Sequence, residues 1–115
     1  MKCVIAGSRD IDSYEIVRQA IINSGFTISE VVSGAAAGVD RLGEYWAQQN
    51  NIPFVRFLPD WEKYGKRAGY VRNKQMVEYV APDGAVIAIW NGSKGTKSTI
   101  DLAKEYKVKL YIEKI

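Results

Sequence analysis

The clearest indication of the fold class is the segment Ala85-Val86-Ile87-Ala88-Ile89-Trp90-Asn91-Gly92-Ser93-Lys94-Gly95-Thr96. Its first half is a continuous apolar run, typical of a central parallel strand that helices cover on both faces. Its glycine-rich second half predicts a turn into a helix, whose first amides and positive dipole end favour an anion. The spacing matches neither a Walker A loop nor the G-x-G-x-x-G dinucleotide fingerprint. A helix N-cap with a flexible turn and no ligand is the alternative interpretation.

Two earlier strands end in glycine-rich turns of the same kind. Cys3-Val4-Ile5-Ala6 runs into Gly7-Ser8-Arg9-Asp10, and Val31-Val32 runs into Ser33-Gly34-Ala35-Ala36-Ala37-Gly38-Val39-Asp40-Arg41. The carboxyl ends of parallel strands meet at one edge of a sheet, so we expect the three turns to lie together there. Each turn is also expected to lead into a helix start with unpaired amides. Their convergence predicts a phosphate-bearing ligand.

Strand and helix patterns alternate along the whole chain, without repeats or linkers. Strands are predicted at 2–6, 30–33, 54–58, 85–90 and 108–112, helices at 13–24, 39–49, 68–80 and 96–107, and an irregular loop at 59–65. The helix at 39–49 is expected to bury Leu42, Tyr45 and Trp46. This order predicts an α/β fold with one Rossmann-like, doubly wound parallel sheet of about five strands, ordered 3-2-1-4-5, with helices on both faces. Residues 1–115 are expected to form a single domain.

Composition narrows the functional classes. The 115 residues include 47% hydrophobic and 25% charged residues, a single cysteine and no histidine, with a net charge of +3. The absence of histidine removes His-based metal sites and His-based acid–base catalysis, and we predict neither a metal nor a cofactor. Cys3 reads as a small buried hydrophobe and is compatible with a reducing cytoplasm, the expected location. No apolar run is long enough to span a bilayer, so no membrane partner is expected.

The turns supply most of the candidate ligand-binding residues. In the first turn these are Gly7, Ser8 and Arg9, where Arg9 either clamps phosphate through its planar guanidinium or pairs with Asp10 or Asp12. In the second turn the small residues allow close backbone approach, and Asp40 either caps the helix or accepts a ribose hydroxyl. The candidates from the second and third turns are Gly34, Ala35, Gly38, Val39, Asp40, Asn91, Gly92, Ser93, Gly95, Thr96, Lys97, Ser98 and Thr99.

The region 60–74 supplies the other candidates. Lys63, Lys66, Arg67 and Lys74 alternate with Trp61, Tyr64 and Tyr70, a pattern that suits phosphates and stacked bases but also fits a solvated helix face. Trp61 and Tyr64 are predicted to contact the sugar or base as a wall or lid. On the next helix Arg72 and Asn73 are candidates. The helical stripe places Asn73 inward, where its amide either holds the backbone or reads the ligand.

These residues together resemble the SLOG superfamily of Rossmann-like proteins, which includes the DprA and LOG families. LOG phosphoribohydrolases carry an R-K-x-x-M helix, an acidic residue before an apolar strand, and P-G-G-x-G-T-x-x-E. The matching residues here are Arg72, Met76, Asp83, Gly92, Gly95 and Thr96, and the turn at 34–40 resembles the earlier phosphate turn of the family. The Gly-Ser-Arg opening, the loop at 60–66 and Arg72-Asn73 look closest to a small SLOG-related branch.

The chain departs from the LOG pattern at the residues that carry its chemistry. The catalytic glutamate falls at Thr99, Asn73 replaces the lysine, and Asn91-Gly92-Ser93 replaces Pro-Gly-Gly. The resemblance therefore implies a nucleotide-type ligand more strongly than it implies hydrolysis. It also suggests that the protein forms at least a dimer. We expect the interface to include the aromatic residues on the helices, Tyr45, Trp46 and Tyr79.

Three functions are compatible with these residues. The first is a sensor, carrier or sequestering protein that binds a nucleoside phosphate or an ADP-ribose-like molecule. The second is an enzyme that cleaves an N-glycosidic or phosphoester bond, with carboxylates drawn from Asp10, Asp40, Asp60, Glu62 and Asp101. The third, binding of single-stranded nucleic acid, is weakened by the lack of a long basic run. The sequence favours the first, and leans against an enzyme.

Overall fold

In a computed structural model, which describes residues 1–115, the chain forms one five-stranded parallel sheet of order β3-β2-β1-β4-β5. The predicted α/β fold and strand order are confirmed. The strands are β1 (Lys2–Gly7), β2 (Glu30–Ser33), β3 (Phe54–Arg56), β4 (Ala85–Trp90) and β5 (Lys109–Lys114). The helices are α1 (Tyr14–Ser24), α2 (Val39–Gln49), α3 (Trp61–Tyr64), α4 (Ala68–Val80) and α5 (Lys94–Glu105), with a 3₁₀ turn at Gly65–Arg67.

The two central strands are buried on both faces. β1 and β4 pair in parallel from Cys3↔Ala85 to Gly7↔Ile89. One apolar cluster packs α1 and α2 against one face of the sheet, and a second packs α4 and α5 against the other. The helices that follow β1 and β4 therefore leave towards opposite faces. The carboxyl ends of these two strands are the switch point of the sheet, where a crevice opens.

Several boundaries differ from the sequence prediction. β3 ends at Arg56 rather than 58, and the expected loop at 59–65 contains α3, because the Asp60 side chain caps it by accepting the Lys63 N–H at 3.1 Å. α5 begins at Lys94 because Ser93 takes the N-cap position. β5 starts one residue late and runs on to Lys114.

The buried stripe of α2 also differs from the prediction. Leu42 and Trp46 are partly buried and pack against the core as expected, but Tyr45 is 46% exposed, so the expectation that it is buried is wrong. Small residues face the sheet instead. A Cβ at Gly43 would lie 3.1 Å from the Ile5 side chain, so the helix lies close to β1 through its small residues, and Tyr45 lies on the outer side. None of the helices is long and apolar enough to cross a bilayer.

Candidate functional site

A cavity of about 350 Å³ lies at the switch point, where β1 and β4 end. It takes residues from all three predicted turns and from α4. The predicted residues that line it are Gly7, Ser8, Arg9, Asp40, Arg72, Asn73, Ser93, Gly95, Thr96 and Thr99. Ala6, Asp10, Ala36 and Met76 complete the lining.

The other predicted residues lie outside the lining. Gly34, Ala35, Gly38 and Val39 shape the second turn, while Asn91, Gly92, Lys97 and Ser98 lie around the third. Trp61 is 56% exposed, and neither it nor Tyr64 lines the cavity. A contact between α3 and a bound ligand therefore stays a prediction.

The first two turns interlock through their backbones. The Val39 N–H donates to the Ser8 carbonyl at 3.3 Å. Gly38 has a φ of 75°, and a Cβ there would collide with the Ser8 carbonyl oxygen and lie 2.7 Å from that of Arg9. Only glycine therefore fits at this crossing. One amide at the start of α2, that of Val39, is therefore already bonded to the protein's own backbone.

The three helix starts consequently differ in what they offer an anion. α1 begins only at Tyr14, and its Ser13 cap accepts the Ile16 N–H at 3.4 Å. The Ser93 side chain, at the N-cap of α5, accepts no helix amide, and its hydroxyl donates to Thr96 Oγ1 at 2.8 Å. The amides of the first turn of α5 have no partner within the helix. The three helix starts therefore differ: α1 has a side-chain cap, the Val39 N–H of α2 is bonded to the Ser8 carbonyl, and α5 has no side-chain cap.

Arg72 and Asn73 connect the second and third turns. Arg72 Nη1 donates to the Gly34 carbonyl at 2.6 Å, and Arg72 Nε donates to Asn73 Oδ1 at 2.9 Å. Asn73, which is 8% exposed, donates from Nδ2 to the Gly95 carbonyl at 3.4 Å. Both alternatives for Asn73 thus have a structural basis, since it holds backbone and also lines the cavity. Arg72 keeps further N–H donors for an anion.

Asp40 is the buried carboxylate of the cavity. It is 7% exposed, and its Oδ2 accepts the Ala36 N–H at 3.2 Å. It does not cap α2, because Gly38 occupies the N-cap position. Burial raises the pKa of this carboxyl from 3.8 to about 6, against the lowering effects of the Ala36 hydrogen bond and the Arg72 charge.

A second buried carboxylate, Glu44, stabilises the second turn through Ser33. Its two oxygens accept a bidentate pair of hydrogen bonds from Arg56 at 3.0 and 2.7 Å, and Ser33 Oγ donates to Oε2 at 2.6 Å. The same Ser33 hydroxyl accepts the N–H of Ala35, whose φ is 61°. Burial raises the pKa of Glu44, but the bonds from Arg56 and Ser33 outweigh it, so the pKa is lowered. Sequence reasoning missed this network; its one signal is an acidic residue one helical turn after Asp40.

Other reactive groups are removed from the cavity. Cys3 is fully buried, as predicted, and burial raises the pKa of its thiol to about 12. Asp101 pairs with Lys97 at 3.0 Å on the exposed side of α5. Arg9 pairs with neither Asp10 nor Asp12, so its guanidinium stays available at the cavity. No group of three or more His, Cys, Asp or Glu residues could hold a metal ion.

The family model for YAcAr, the YspA, cpYpsA-related SLOG family, matches residues 1–64, which is more than half of the chain. The chain belongs to this SLOG family. The resemblance inferred from the sequence is therefore confirmed, and the match includes the first two turns of the cavity.

A solved structure gives an independent comparison of the fold. The SLOG chain is similar to DNA processing protein A (DprA) from Streptococcus pneumoniae, with a TM-score of 0.77 at 17% identity over 96% of this chain. It spans about half of DprA, since the similarity covers 49% of that chain. A search of curated proteins gives no significant match. The likeness to DprA shows the shared fold.

Proposed function

We propose that this SLOG protein binds a nucleotide-derived ligand, a nucleoside phosphate or an ADP-ribose-like molecule, and acts as a sensor, carrier or sequestering protein. Family membership and the DprA-like fold support a nucleotide-related or nucleic-acid-related role. The observation that carries the finer proposal is the open start of α5, which borders a cavity that also contains Arg9 and Arg72. We treat the whole chain as the binding unit, and a homo-oligomer as its working form.

The ligand phosphate is assigned to the start of α5. Free amides and the positive end of the helix dipole favour an anion there. Thr99, which is 1% exposed and lines the cavity, adds a hydroxyl. Arg72 supplies a guanidinium already fixed by Gly34 and Asn73, so little side-chain entropy is lost when it binds phosphate.

The size of the cavity suits a small ligand. At about 350 Å³ it falls at the lower end of typical small-molecule sites, which range from roughly 300 to 1,000 Å³. A mononucleotide fits this range. Since the chain offers no imidazole, binding depends on the amides, hydroxyls and guanidinium groups around the cavity.

Calorimetry with the common nucleoside monophosphates and with ADP-ribose tests the proposal. The Arg9→Ala variant should weaken binding by about tenfold or more, because it removes one charge-assisted hydrogen bond to phosphate. Arg41→Ala is the matched control, since Arg41 is exposed and lies outside the cavity. Crystals soaked with the best binder should show phosphate near residues 93–96. Phosphate found only at another surface would overturn the proposal.

A further inference from the structure

Asp40 brings a buried negative charge into a cavity that we propose holds an anion, whereas Asp10, the other carboxylate of the lining, is exposed. Asp40 lies in the same cavity as the Arg9 and Arg72 guanidinium groups, yet it forms no ion pair with either. A carboxylate opposes a nearby phosphate, and a buried carboxylate without an ion pair lowers stability. Binding of phosphate therefore does not explain this residue.

Only part of the Asp40 carboxylate is used within the protein. Oδ2 accepts the Ala36 N–H, whereas Oδ1 accepts no hydrogen bond from any protein group. The side chain is more than nine-tenths buried and lines the cavity. The Asp40 and Arg72 side chains both pack directly against Gly34, since a Cβ there would lie 2.7 Å from Asp40 Oδ2 and 2.8 Å from Arg72 Nη1. An ionised carboxylate only accepts hydrogen bonds, so Oδ1 is available to accept one from a donor group of a bound ligand.

We propose that Asp40 selects a ligand with a free sugar hydroxyl beside its phosphate, and that this hydroxyl donates to Asp40 Oδ1. The inference rests on the proposed function and narrows its ligand class. Unmodified ribonucleotides and ADP-ribose-like molecules carry such hydroxyls. Internal nucleotides of DNA do not, because the 2′ position has no hydroxyl and the 3′ oxygen is esterified. The cavity is therefore specific for small ribose phosphates over a DNA strand.

The pH dependence of ligand affinity distinguishes a hydrogen bond between Asp40 and the sugar hydroxyl from a purely electrostatic effect of Asp40 on the phosphate. The charged groups around Asp40 are Arg9 and Asp10 from the first turn, Glu44 on α2 and Arg72 on α4, while α5 lines the cavity with no titratable side chain. With a pKa of about 6, Asp40 is ionised at neutral pH and accepts the hydroxyl. Its protonation in acid should remove the preference for hydroxyl groups. If phosphate instead drove proton uptake, acid would strengthen binding of every phosphate alike.

The test compares the best-binding nucleoside monophosphate with its 2′,3′-dideoxy analogue by calorimetry. For the unaltered protein at about pH 7.5, the ribonucleotide should bind at least about tenfold tighter, since a hydrogen bond to a charged group has that worth. Asp40→Asn should bring the two dissociation constants within about threefold, and so should lowering the pH of the unaltered protein to about 5. Asp83→Asn, which changes the same charge at the opposite edge of the sheet, should keep the preference.

The outcomes distinguish the inference from the proposed function. Equal affinity for the ribo and dideoxy ligands in the unaltered protein would overturn the inference and leave nucleotide binding standing. A preference unchanged by Asp40→Asn would also overturn it, because another residue would then read the hydroxyl. Absence of binding for all the monophosphates and for ADP-ribose would overturn both. Circular dichroism and Asp40→Ala confirm that any lost preference arises in a folded protein.

Discussion

Asp40 links function and stability at a single residue. Its pKa is about 6 in the folded protein against an ordinary 3.8, so the folded state binds the proton more tightly than the unfolded state. The resulting stabilisation is fully present below pH 3.8 and is lost as the pH rises through 6. Asp40→Asn carries no such dependence. It should therefore match the unaltered protein at about pH 3 and exceed its free energy of unfolding at about pH 7.5, by up to about 3 kcal/mol.

Urea unfolding at both pH values, followed by circular dichroism, measures this difference. Asp83→Asn is the control, because Asp83 is exposed and makes no side-chain hydrogen bond or ion pair. Parallel stability–pH curves for Asp40→Asn and the unaltered protein would show that Asp40 titrates normally. A gain in stability together with a loss of ligand selectivity would mark Asp40 as a residue kept for binding at the expense of folding.

At the scale of elements, α3 carries Trp61, an exposed aromatic residue of the basic and aromatic segment. Trp61 is 56% exposed, so Trp61→Ala should change the free energy of unfolding by less than about 0.5 kcal/mol. If α3 closes over a bound ligand, the same variant should weaken nucleotide binding by about tenfold, the usual worth of a stacked aromatic ring. Tryptophan fluorescence and calorimetry measure both effects. Unchanged affinity for both Trp61→Ala and Tyr64→Ala would exclude α3 from the site.

The same scale shows what the sequence could and could not predict. The apolar runs at 3–6 and 85–90 were enough to identify the central strands, because a strand that is buried on both faces has apolar residues at every position instead of alternating apolar and polar ones. Tyr45 was wrongly placed on the buried face of α2 because aromatic spacing was given more weight than Gly43 and Ala47, whose small size lets the helix approach the sheet. The start of α5 was set two residues late because Gly95 was taken for part of the turn.

The candidate site was predictable where it depends on strand ends and hidden where it depends on tertiary contacts. Parallel topology alone brings the turns after β1 and β4 together. No local sequence pattern indicates that the Ser8 carbonyl lies against Gly38, or that Arg56 on β3 pairs with Glu44 on α2. These contacts join residues distant in sequence, so they follow from the packing of α2 on the sheet.

For the whole molecule, the aromatic residues predicted to form a dimer interface lie on opposite faces of the sheet. Tyr79, on α4, already packs against Phe57 and donates to Glu30 at 2.6 Å. Tyr45, on α2, makes an edge-on contact with Tyr14 at 4.9 Å and stays 46% exposed. We therefore expect a dimer through the α1–α2 face. Tyr45→Glu should give a monomer in analytical ultracentrifugation and Tyr79→Phe should not; a monomeric unaltered protein at micromolar concentration would contradict the prediction.

The chemistry of the whole cavity predicts that the protein is not an efficient phosphoribohydrolase. Cleavage of an N-glycosidic bond passes through a positively charged sugar, which LOG enzymes are expected to stabilise with a glutamate where Thr99 stands here. Thr99 is uncharged and 1% exposed, while Asp101 is held by Lys97 outside the cavity. Loss of a general acid or base typically lowers a rate by about 10²–10⁴-fold. Incubation with each nucleoside monophosphate should therefore release no free base above background, as measured by chromatography. Rapid release that disappears in Asp40→Asn would instead assign catalysis to Asp40. Release that survives in both Asp10→Asn and Asp40→Asn would show that the catalytic residues are not the two carboxylates that line the cavity.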